Sequence, residues 1–142
     1  MRVIAFISFL VIYLVLEAAY FGVSLKHHKK HFSMIQGTTL DNLEFKPFPY
    51  GVLAYIILVI SMWVLIFENG HALQNGTYTN IIQRSTMYAL AVYATYNLTN
   101  MTVFSNYRLD MLVIDSLWGV FVVNISAILV FFLYRRFWKM MK

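Results

Sequence analysis

Four apolar stretches separated by short polar ones predict an all-α fold, an integral membrane bundle of four transmembrane helices in a single domain. Two further observations agree. The chain is 61% hydrophobic and only 12% charged, about half the charge of an ordinary soluble domain. The charges are also gathered into blocks, Lys26–Lys30 and Arg135–Lys142 above all, so the runs between them are free to lie in lipid. Cysteine is absent from the 142 residues, which excludes disulfides, zinc–thiolate sites, iron–sulfur clusters and thiol nucleophiles. The net charge of +5 comes from the basic blocks, which suit lipid phosphates at span ends; no nucleic-acid partner is expected.

The first span covers residues 3–25. Arg2 before an apolar run imitates a signal peptide, but the run is long and has no Ala-x-Ala site, so the span is expected to be retained. Tyr13, Glu17, Tyr20 and Ser24 share one helical face. Ala18 and Gly22 form a small-x-x-x-small pair suited to close helix packing. Residues 26–49 are expected to form a loop, turning at Gly37 and ended by Pro47 and Pro49. His27, His28 and His31 lie in it among Lys26, Lys29 and Lys30, which would repel a metal, so a solvated basic segment is expected there.

The second span, 50–67, carries no charge and is just long enough to cross at ~1.5 Å per residue. A short polar connection follows, with Asn75-Gly76 as its turn. The third span, 80–101, starts where Asn80 and Gln83 have capping-box spacing. Ser85, Ala89, Tyr93, Tyr96, Asn97 and Asn100 give it a polar stripe that should face other helices, and Arg84 is placed to pair with Glu68. The fourth span, 111–134, follows Asp110 as N-cap and puts Asp115, Gly119, Val122 and Ser126 on one face, with Gly119 as a packing position. Arg135, Arg136, Lys139 and Lys142 end the chain as a contact for lipid or a partner, together with Lys26, Lys29 and Lys30. Trp63, Trp118 and Trp138 fall near span ends, where aromatic belts form.

An even number of spans puts both termini on one side, here side A. Lys and Arg divide almost evenly between the sides and lean to cytoplasmic termini. Following the chain across the bilayer brings Glu17, Asn97 and Asp115 to one depth, near side B. A carboxylate in hydrocarbon costs several kcal/mol unless it finds donors. The expected polar intramembrane cluster is therefore Glu17, Tyr20, Tyr93, Tyr96, Asn97, Asn100 and Asp115, serving either as an interhelical staple or as a cavity that binds a solute or relays protons. Catalysis finds little support. Glu17 with Asp115 imitates an aspartyl dyad without an accompanying motif, no phosphate loop is present, and no cofactor or metal site is expected.

Tyr96-Asn97-Leu98-Thr99-Asn100, followed by Asp115-x-x-Trp118-Gly119, resembles the signature of a predicted-membrane-protein family, domain of unknown function 2177. That pattern reads Tyr-Asp-Leu-Thr-Asn and then Asp-Ile-x-Trp-Gly, after a first span with an acidic residue. The resemblance implies four spans and no established activity. The chain departs from it with Asn97 and Glu17 where the pattern has Asp, and Asn97 cannot titrate. Members in large DNA viruses, and a composition rich in Tyr, Asn, Met and Lys, make a viral internal membrane beneath the capsid a candidate location. With no catalytic constellation and only short extramembrane loops, a structural or interaction role in a membrane assembly, with protein partners or as a homo-oligomer, leads. A small-solute or proton-coupled transporter using the polar cluster comes second, and an intramembrane enzyme third.

Overall fold

The computed structural model describes residues 2–42 and 49–138. Those residues form helices and turns, with no strand among them. The helices are α1 (Arg2–Gln36), α2 (Pro49–Phe67), a short α3 (His71–Asn75), α4 (Tyr78–Ala89), α5 (Thr95–Val103) and α6 (Leu109–Leu133). A π-helical turn, Leu90–Ala94, joins α4 to α5 into one rod, and a second, Tyr134–Trp138, extends α6. Four rods result. Three of them, Arg2–Gln36, Pro49–Asn75 and Leu109–Phe137, are long and apolar enough to cross a membrane.

Packing follows the distribution of side chains. α6 lies between α1 and the α4–α5 rod, and α2 lies against α4. Ring contacts of Phe6 with Trp63 and of Phe9 with Phe67 close α1 onto α2, so the four rods surround one interior. Near the chain's start that interior is apolar: Phe9, Met62, Ile66, Phe67, Ile81, Val130 and Phe131 are fully buried. Burying each such side chain contributes about 1.5–3 kcal/mol in water; within lipid the gain comes from close packing. Polar groups hold the next level. Asn124 accepts from Ser85 (2.6 Å) and Thr86 (3.2 Å), tying α6 to α4.

Several sequence expectations change here. α1 does not stop at Leu25 but runs to Gln36, so the first part of the expected 26–49 loop is helix. Its inward face continues at helical spacing from Ser24 to His28 and His31, which gives the extension something to pack. At ~1.5 Å per residue α1 reaches roughly 52 Å, well beyond a ~30 Å hydrocarbon core. Thr77, rather than Asn80, caps α4, its side chain accepting from the Asn80 amide at 3.2 Å. Asp110 lies in the first turn of α6 instead of at its cap, accepting from the Met111 amide and pairing with Arg108. Arg84 meets Glu68 at 2.6 Å. The end of α2 turns through positive φ at Glu68, Asn69 and Gly70, and the bare Gly70 leaves room for the Arg2 stem.

Candidate functional site

The polar groups gather around a cavity of about 150 Å³ between α1, α2, α5, α6 and the π turn. Helical spacing on α1 supplies Tyr13, Glu17, Tyr20 and His28 to one wall. Tyr93 enters from the π turn, where the extra residue displaces the regular helical register. Its ring lies directly over Gly119, in space that any Cβ on α6 would fill.

Glu17 is the innermost acid and is 5% exposed. Its Oε1 accepts from the Tyr93 hydroxyl at 3.0 Å and from the Trp118 indole N–H at 3.3 Å, while the Tyr55 hydroxyl approaches Oε2 at 3.4 Å. The Tyr13 and Tyr93 hydroxyls meet at 2.6 Å, extending the network toward the apolar half. All of these donors are neutral. Among the described residues, no Lys, Arg or His stands within ion-pair distance of Glu17.

Asp115 has a different environment. The Tyr20 hydroxyl donates to its Oδ1 at 2.6 Å, and His28 Nε2 lies 3.4 Å from the same oxygen. His28 Nδ1 faces the Ser24 carbonyl at 3.1 Å, and a carbonyl can only accept, so Nδ1 carries a hydrogen. A proton on Nε2 makes the ring a cation beside the Asp115 carboxylate, and that ion pair is neutral overall. Glu17 is therefore the one acid of the cavity without a compensating cation beside it.

Of the remaining expected residues, Tyr96 and Asn97 also line the cavity and Asn100 does not. Asn97 is buried, donates to the Tyr93 carbonyl at 2.8 Å and accepts from the Tyr107 hydroxyl. Burial pushes the Tyr107 phenol above its ordinary pKa, so it stays a donor at any ordinary pH. Tyr96 stands at the cavity rim, 63% exposed. Asn100 lies a turn beyond the lining, its carbonyl accepting from the Phe104 amide at 2.8 Å. Ala18 and Gly22 face outward, and a Cβ at Gly22 would meet nothing within 4 Å, so among the described residues no helix packs there. Lys26, Lys29, Lys30, Arg135 and Arg136 are exposed. Lys139, Lys142, Lys46, Pro47 and the side chain of Trp138 lie outside the described residues.

Three contributors were not expected. His28 was assigned to a solvated loop, yet it and His31 are buried, because the helix carries them onto the inward face. The signal was present, since Tyr13, Glu17, Tyr20, Ser24, His28 and His31 continue one spacing. Trp118 was assigned to an interfacial belt; instead it bonds Glu17 and stacks on Tyr20 at 4.4 Å. Tyr55, in an otherwise featureless span, had no sequence signal.

A family model described as a predicted membrane protein, domain of unknown function 2177, matches residues 2–132. The chain belongs to this family. It is thus a membrane protein of a family without an assigned function, and lipid is its environment. No curated protein and no solved structure matches it. Of the residues that carry the resemblance, Tyr96, Asn97, Asp115 and Trp118 line the cavity, and Gly119 packs against the Tyr93 ring.

Proposed function

We propose that this member of family 2177 crosses the membrane four times and handles a small solute in its interior cavity, coupled to protons exchanged at Glu17. One observation carries the proposal: a cavity of about 150 Å³ lies against a buried carboxylate that has only neutral partners. An interhelical staple would be expected to close-pack around its hydrogen bonds, as protein interiors do. A buried charge beside open space is better suited to accepting a ligand or a proton. The α4–α5 rod, Tyr78–Val103, reaches roughly 39 Å at ~1.5 Å per residue, long enough for a fourth crossing.

The test is solute-dependent proton movement in proteoliposomes, read by a trapped pH dye across a panel of cationic, anionic and neutral solutes. Wild-type protein should give a signal with at least one class. Glu17→Gln should abolish it while accumulating normally in membranes. Equal signals from both proteins would refute the proposal.

A structural role in a membrane assembly, such as the internal membrane of a virus, is the second reading. What favours it is the α1 extension, which carries exposed Lys26, Lys29 and Lys30 beyond the hydrocarbon. Co-purification in mild detergent separates the two. A fixed ratio to a larger assembly supports a structural component, and isolation alone or as a small homo-oligomer supports the cavity.

A further inference from the structure

We infer that the solute is a small organic cation, an ammonium with an apolar body, held against Glu17 by a box of aromatic rings. This rests on the solute-handling reading above and adds the chemical class to it. Three features of the cavity lead to it.

Charge is the first. With His28 and Asp115 neutralising each other, the cavity is neutral when Glu17 is protonated and carries one net negative charge when it is ionised, so a cation and a proton compete for the same carboxylate. Among the described residues lining it, His28 is the one basic group. An anion would meet that carboxylate with nothing to offset it, and a neutral solute would leave the charge uncompensated. A monovalent cation completes the balance.

The walls are the second. Tyr13, Tyr55, Tyr93 and Trp118 converge on Glu17, three of them donating to it through their polar edges, and Tyr20 stacks on Trp118 with the ring planes 8° apart. The lining beside the carboxylate is mostly the carbon surface of these residues. Such a surface buries the carbon of an organic cation, and a ring that meets the cation with its face adds about 0.5–2 kcal/mol. Ca²⁺ or Mg²⁺ asks instead for about six or more oxygen ligands in a tight shell, and among the described residues no three His, Asp or Glu side chains are grouped to hold a metal ion.

Size is the third. About 150 Å³ is the volume of an engineered apolar cavity that accommodates benzene. That suits a cation of a few carbons around one nitrogen.

The experiment uses full-length protein in lipid nanodiscs, titrated with tetramethylammonium and, separately, with its neutral near-isostere tert-butanol. Calorimetry and tryptophan fluorescence report binding. Tetramethylammonium should bind, and tert-butanol at least about tenfold more weakly. Glu17→Gln should weaken the cation about tenfold or more, and Glu17→Asp should restore part of the loss. Trp118→Phe keeps a ring but removes the donor to Glu17, so cation binding should persist in it. Monodisperse elution and unchanged helix content exclude misfolding. If tert-butanol binds as well as the cation, or Glu17→Gln binds the cation like wild type, the cationic class is overturned and a solute cavity still stands. If neither probe binds at millimolar concentration while the proteoliposome signal persists with an anionic or neutral solute, the class alone falls. Absence of both binding and signal overturns the two together.

Discussion

Gly119 and Tyr93 form the tightest contact of the site, because the phenol ring occupies the space a side chain on α6 would need. Gly119→Ala should therefore lower stability by about 1–3 kcal/mol, as overpacking does, read as a lower unfolding temperature in detergent. Gly22→Ala, with open space around it, should leave that temperature unchanged. Equal effects of the two would contradict the packing described. At this scale the sequence was legible where a residue was out of place for its surroundings. Glu17 and Asp115 stood out because acids are rare in spans. Their partners Tyr20 and Tyr93 followed from helical spacing. Trp118 did not, since a tryptophan near a span end has an ordinary explanation in the interface. Ala18 and Gly22 show the limit of such a reading: small residues permit close approach, but nothing in their spacing says which helix arrives.

At the scale of elements, the long first helix is the main departure. A run of Lys and His after an apolar stretch marks where lipid ends, which is a different matter from where a helix ends. Hydrogen bonding along the backbone continues as long as one face finds something to pack against, and His31 packs edge-on against Tyr107 at 4.6 Å. Lys29→Pro tests this directly. In a helix interior it should cost about 3 kcal/mol and lower the unfolding temperature; in a loop it would be tolerated. The π turn was equally unreadable beforehand, since Leu90–Ala94 contains no Gly or Pro to mark a break. It is nonetheless the element that delivers Tyr93 to Glu17.

The whole molecule divides into an apolar half that packs and a polar half that leaves a pocket between its helices. Composition made the helical membrane class readable from the outset, because few charges and long apolar runs admit little else. The cavity was not readable, since volume depends on how four rods lean together. Topology can be examined with single cysteines, the chain having none of its own. Thr39→Cys and His71→Cys, both at exposed positions flanking α2, should react with an impermeant maleimide from opposite faces of the membrane. With cytoplasmic termini, Thr39→Cys is the one labelled from outside. Labelling of both from one face would mean that α2 does not cross.

Whether the polar half is a site or a staple is decided most directly by the unfolding temperatures of Glu17→Gln and Asp115→Asn in lipid nanodiscs. Binding sites hold groups that function needs at some cost to stability. Removing the unpaired charge of Glu17 should therefore leave the unfolding temperature unchanged or raise it. Asp115→Asn, which breaks the neutral pair with His28, should lower it. A fall of roughly 4 °C or more for Glu17→Gln, equivalent to about 1 kcal/mol in a small domain, would show that the glutamate is there to hold the helices together.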